Sequence, residues 1–165
     1  MGISLFPFRL RHAFPLARLK REIESTASHL VISKNERNES GFHILARLAL
    51  SRRTMNTLIA ADGDALIGYV SLVFPRFRKL KGNAYLTIAL KEAYRGKGIG
   101  TLLMRSAEDF ARARGIRRIE LDVLAKNTGA IHLYERLGYA IEGRRRQAIK
   151  DEDGFDDMLI MAKFV

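Results

Sequence analysis

The sequence predicts one α/β (α+β) domain, in which a single mixed, mostly antiparallel central sheet is flanked by helices. Three observations support this. The 165 residues are 47% hydrophobic and 28% charged, the size and balance of one compact domain that buries roughly 70% of its unfolded surface. Runs with period-two apolar patterning alternate with stripes of helical spacing. No repeat, low-complexity tract or Pro/Ser-rich linker divides residues 1–165. The expected order is β-α-α-β-β-β-α-β-α-β-β.

The first run, "ISLFPFRL", alternates loosely, and Pro7 inside it points to an edge strand, where a missing N–H is tolerated. From Leu16, apolar residues recur at Leu19, Ile23, Ala27 and Leu30, a helical stripe, and the polar "SKNERNES" reads as a loop. Phe42, Leu45, Leu48 and Ala49 fall on one face of a second helix. "MNTLIAADGDALIGYVSLVF" holds two β-rich runs around Asp62-Gly63, a hairpin signal. The basic "PRFRKLKGN" then leads to the strand "AYLTIAL". After a glycine-rich loop, Ile99, Leu102, Leu103, Ala107, Phe110 and Ala111 recur at helical spacing from near Thr101, and Gly115 suits the C′ stop. In "IRRIELDVL", Ile119, Leu121 and Val123 alternate with Arg118, Glu120 and Asp122, giving a strand with one apolar face. "TGAIHLYERLG" is a short helix with Asn127 or Thr128 as N-cap and Gly138 as C′. "YAIEGRRRQAI" and "FDDMLIMAKFV" close the chain as two strands joined at "DEDG".

Composition excludes several classes. There is no cysteine, so disulfides and thiolate metal sites are ruled out, and the chain suits a reducing cytoplasm. His12, His29, His43 and His132 are isolated, and no metal is expected. No run of about 18 apolar residues is present to span a membrane. "MGISLFPFRLRH" lacks the order of a secretory signal, and Phe6 breaks the myristoylation pattern. The net charge of +11 favours anionic partners. No RNP, zinc-finger or helix-turn-helix signature accompanies it, so nucleic acid is not expected as the partner.

The segment "EAYRGKGIGTLLMRSAE" places Gly96, Gly98 and Gly100 directly before a helix. A strand, glycines and a helix start converge unpaired N–H groups and the positive end of the helix dipole on one point, which makes an anion site. A Walker loop fails because Lys97 is followed by Gly98. A dinucleotide loop counted from Gly96 fails at Thr101, although Glu120 or Asp122 could stand in for its ribose-binding acid. A turn without a ligand would not need three glycines.

Arg95-Gly96-Lys97-Gly98-Ile99-Gly100 fits the pattern [RQ]-x-x-G-x-[GA]. It resembles the pyrophosphate loop of the GNAT superfamily of N-acetyltransferases. The likeness extends through "LTIALKEAYRGKGIGTLLM" and "IRRIELDVLAKNTGAIHLYERLGYAIEG", residues 84–143 together, with "ADGDALIGYVSL" as the preceding hairpin. The first ~55 residues match only in element order. The resemblance implies one N-acetyltransferase domain over 1–165. It would use acetyl-CoA and transfer the acetyl group to a primary amine by direct attack.

The resemblance assigns Gly96, Gly98, Gly100 and the helix start at Thr101 to the coenzyme phosphates, with Arg95, Lys97 and Ile99 in the same loop. It places Ile88, Ala89 and Leu90 along the pantetheine arm, in a slot opened where their strand splays from "IELDVL". An amide of that strand would bond the thioester carbonyl. Asn127, Ala130 and Tyr134 share a helix face. From spacing alone they read as an N-cap, a packing residue and a core tyrosine. The resemblance instead puts Asn127 on the pantetheine arm and the Tyr134 hydroxyl near the sulfur, as general acid for the leaving thiolate. The base is left open among Glu92, Glu120, Asp122, Asp156 and Asp157. The C-terminal "GRRRQAIKDEDGFDDMLIMAKF" is similar to endings of polyamine and protein N-terminal acetyltransferases. With this net charge, a small-molecule or peptide amine is the preferred acceptor. A homodimer is admissible and a membrane partner is not expected. The competing reading is a non-catalytic basic nucleic-acid-binding module on the same fold.

Overall fold

The structure, a computed structural model, describes residues 2–26, 54–151 and 154–165. The second helix expected at 42–53, and the end of the first stripe at Ala27 and Leu30, lie outside the described residues. The rest follows the expected order: β1 (Ile3–Pro7), α1 (Ala13–Thr26), β2 (Met55–Asp62), β3 (Ala65–Val73), β4 (Asn83–Leu90), α2 (Ile99–Ala113), β5 (Arg118–Leu124), α3 (Thr128–Arg136), β6 (Ala140–Asp151) and β7 (Gly154–Phe164). Three 3-10 turns, at Leu10–His12, Arg78–Leu80 and Glu92–Tyr94, join them.

One seven-stranded sheet runs β1-β2-β3-β4-β5-β7-β6. Every neighbouring pair is antiparallel except β4 and β5. That parallel pair needs a crossover, which α2 supplies. β1 is an edge strand and Pro7 is its last residue, where no ladder bond is lost. α1 begins three residues earlier than the apolar stripe indicates, with Pro15 in its first turn, where proline costs no hydrogen bond. The hairpin loop is Gly63-Asp64, one position on from the expected centre, because Asp62 still pairs with Ala65.

The two faces of the sheet are covered differently. On one, Leu103, Met104, Ala107 and Ala111 of α2 pack over Val70, Leu72, Leu86, Ile119, Leu121 and Met161. Leu103 and Met104 are wholly buried, and each such side chain contributes about 1.5–3 kcal/mol. On the other, Leu16, Leu19 and Ile23 of α1 meet Ala89, with Leu66 and Tyr69 alongside. A buried charge sits within the first layer. Glu108 of α2 is 2% exposed and accepts from Lys163 Nζ of β7 at 2.7 Å, so helix and strand are tied by an ion pair inside the core.

At Gly68 of β3, opposite Leu90, an added Cβ would lie 2.9 Å from the Ala89 carbonyl oxygen and 2.6 Å from Leu90 Cδ1. The carbonyl cannot turn away without breaking the β3–β4 ladder. Gly68→Ala is therefore expected to cost about 1–3 kcal/mol, read as a fall in the urea midpoint with unchanged m. An unchanged midpoint would show that the strands part without cost.

Candidate active site

The expected splay is present in the register. β4 and β5 pair only at Asn83–Arg118, Ala84–Ile119 and Tyr85–Glu120. Beyond Tyr85, β4 keeps β3 on one side and β5 keeps β7 on the other, but the two no longer pair with each other. The facing edge of β4 from Leu86 to Leu90 opens into a cleft of about 740 Å³. Ile88, Ala89 and Leu90 line it from the strand, Arg95, Gly96 and Gly98 from the loop, Gly100 and Thr101 from α2, and Asn127, Ala130 and Tyr134 from α3 and its cap.

Two of the expected residues are placed otherwise. Ile99 is 5% exposed with its side chain in the core, leaving its N–H as the group it can offer the cleft. Lys97 lies outside the cleft wall, its Nζ 5.4 Å from the Tyr94 ring centroid. α2 also starts at Ile99 rather than near Thr101, with Gly98 as N-cap. Its first backbone bond runs from Leu102 N–H to the Gly98 carbonyl at 3.1 Å. The N–H groups of Ile99, Gly100 and Thr101 precede that bond and have no acceptor in the helix.

The three glycines divide the work. Gly96 and Gly98 sit at φ 72° and 79°, in the left-handed region. Gly100 is an ordinary helical residue, where an added Cβ would meet Leu133 Cδ2 at 3.1 Å. The third glycine thus lets α3 approach α2.

Asn127 is the N-cap of α3, its side-chain oxygen accepting from Ala130 N–H at 3.2 Å. The capping role therefore holds, and the amide NH₂ is left for other partners. Tyr134 is 7% exposed, with its ring 6.1 Å from that of Tyr139. Burial, and then the neighbouring Tyr85, push its hydroxyl up to about 12. Ile23, Lys126, Leu133 and Arg136 also line the cleft and were missed in the sequence. Gly129, Leu133 and Arg136 fall at i, i+4 and i+7 beside Ala130 and Tyr134, which was the available signal. Among the described residues that line the cleft there is no carboxylate, whereas Arg95, Lys126 and Arg136 are present. The cleft wall suits an anion.

Tyr85 and Asp122 lie on the α1 face of the sheet, beside the mouth of the splay. Tyr85 is register partner to Glu120, two residues before Asp122 on the same face. Burial and then the Asp122 carboxylate push the Tyr85 hydroxyl up to about 12. Asp122 accepts from Arg145 Nη1 at 2.8 Å. Glu120 is paired with Arg118 at 2.8 Å, and Glu92 is exposed on a turn. The Gln147 N–H, donating at 2.7 Å, and the Arg144 guanidinium hold Asp157 below the usual carboxylate range. Asp156 accepts from Asp157 N–H at 2.8 Å. Among the described residues, no group of His, Asp and Glu could hold a metal, and no helix is long and apolar enough to cross a membrane.

The cleft is thus a slot between parted parallel strands, with unpaired N–H groups at one end and a buried tyrosine at the other. A family model, the acetyltransferase (GNAT) family, matches residues 18–139. The chain belongs to that family. It is 42% identical over 88 residues to streptothricin acetyltransferase of Streptomyces lavendulae, covering 52% of this chain and 43% of that protein. A GNAT-family acetyltransferase from Streptococcus pneumoniae superposes with a TM-score of 0.93 at 22% identity, over 99% of both chains. A putative acetyltransferase from Salmonella typhimurium, solved with acetyl-CoA, does so with a TM-score of 0.87 at 16% identity, over 99% of this chain and 94% of that one. These two likenesses concern the fold. The chain spans about half the length of the curated relatives it matches.

Proposed function

We propose that this chain transfers the acetyl group of acetyl-CoA to a primary amine by direct attack. The carrying observation is the cleft itself, which joins an unpaired strand edge, the free N–H groups of the α2 start and the Tyr134 ring. The residues fit the coenzyme. The N–H groups of Ile99, Gly100 and Thr101, together with Arg95, would hold its phosphates. The free edge of β4 from Ile88 to Leu90 would pair with the amide-bearing arm, and the Asn127 NH₂ would donate to it. When bound, the coenzyme supplies the activated acyl carbon.

Around that carbon, two side chains move protons. Tyr134, held protonated by its raised pKa, donates from its hydroxyl to the departing sulfur. Asp122, held in place by Arg145, attracts the ammonium form of the acceptor and accepts its proton. The acceptor, a small-molecule or peptide amine, approaches from the α1 face, past Tyr85.

Calorimetry with acetyl-CoA, followed by an amine panel with thiol release as readout, tests the activity. Absence of coenzyme binding by the folded chain would end it. For the base, Asp122→Asn is expected to lower kcat/KM for the amine by roughly 10²–10⁴-fold near neutral pH, with acetyl-CoA affinity unchanged. The deficit should shrink as pH rises towards the amine's own pKa, because the acceptor then arrives neutral. A pH-independent deficit would make Asp122 a binding group only.

A further inference from the structure

The opposite end of β4 carries a second charged feature. The connection from β3 reads Arg76-Phe77-Arg78-Lys79-Leu80-Lys81, all exposed, and no carboxylate occurs between Val73 and Lys91. It turns through a 3-10 helix in which Leu80 N–H donates to the Phe77 carbonyl at 3.0 Å. Phe77 caps this turn in extended backbone, at φ -73° and ψ 132°. Phe77 is 75% exposed and Leu80 44%. Arg117 adjoins them, its N–H bonded to the Gly82 carbonyl at 2.8 Å. Arg114 lies 4.5 Å from the Phe74 ring. Among the described residues, Arg76, Arg78, Lys79, Lys81 and Arg117 enter no ion pair. β4 separates this pole from the glycine loop by about 25 Å, so these cations do not serve the cleft.

We propose that this pole binds a single-stranded nucleic-acid segment, with Phe77 stacked on a base and the flanking cations on phosphates. Several of these cations are arginines, whose planar fork matches phosphate oxygens. One exposed ring is enough to stack one base. A lipid surface would be gripped by only two apolar side chains on a three-residue turn, whereas interfacial anchoring depends on a long apolar helix face.

The test is fluorescence anisotropy of the full chain with a labelled 12-nucleotide RNA of mixed sequence, in 50 and 200 mM KCl. Neutralisation by five cations at about 0.7 per phosphate predicts roughly 100-fold weakening over that range. The combined variant Arg76→Gln, Arg78→Gln, Lys79→Gln, Lys81→Gln should bind about 100-fold more weakly at 50 mM and lose most of the salt slope. Phe77→Leu should lose about tenfold and Phe77→Trp should not, because stacking needs a ring. Acetyl-CoA affinity, measured on every variant, should be unchanged and reports that each is folded. No RNA binding by the wild type at 50 mM overturns the proposal, as does full binding by the quadruple variant. So does a wild type that prefers vesicles of 30% phosphatidylserine and tolerates Phe77→Leu on them.

Discussion

Tyr134→Phe is expected to lower kcat by roughly 10- to 1,000-fold while acetyl-CoA affinity stays nearly constant. The ring is what the core holds, at 7% exposure and packed towards Tyr139, and phenylalanine keeps it. Only the proton donor is removed. The pH profile provides a second check. Burial, and then Tyr85, raise the hydroxyl to about 12, so its neutral form persists throughout the working range. A raised tyrosine pKa preserves the donor below that value and loses it only as pH climbs through about 12. The wild-type rate should therefore show no falling limb below about pH 11. Unaltered kcat in the phenylalanine variant would make Tyr134 a packing residue and leave water to protonate the sulfur.

Gly98→Val should abolish measurable acetyl-CoA binding, a loss of at least 100-fold in affinity. Gly98 sits at φ 79° and caps α2, a conformation that a β-branched residue resists by about 1–2 kcal/mol. Beyond its own chain neighbours, an added Cβ meets no atom of the described residues within 4 Å, so they leave room for the side chain. That room is the lip of the cleft, where a phosphate would approach the α2 N–H groups. The variant should melt cooperatively, slightly below wild type, and show no heat on titration with acetyl-CoA. Unchanged affinity in a folded variant would remove the loop from the coenzyme site.

Gly100 shows the limit of reading the loop as a motif. Three clustered glycines suggest one shared reason, namely ligand approach to the backbone. Two of them do adopt the left-handed region, but the third admits Leu133 of α3. That contact joins residues more than thirty positions apart, and no local pattern encodes it. The pairing of Glu108 with Lys163 leaves a trace in the sequence. Glu108 adjoins Ala107 in the apolar stripe of its helix, and Lys163 follows Leu159 and Met161 at the period of a buried strand face. Opposite charges on two buried faces are a sign of pairing, and here they meet at 2.7 Å.

By itself, the sequence determined the order of the described elements, the stops at Gly115 and Gly138, and a helix cap at Asn127 or Thr128, of which the structure uses Asn127. Each is a local matter: apolar period, turn chemistry, and N–H groups left over where a helix begins. The tertiary structure alone decided that β7 enters between β5 and β6, and at which pair, Tyr85–Glu120, the contact of β4 with β5 ends. It also decided that Arg145 reaches Asp122 from two strands away. Strand register and cross-sheet ion pairs arise from contacts between distant segments, each compatible with several partners until the whole core is packed. The cleft lies where that packing leaves two parallel strands unpaired.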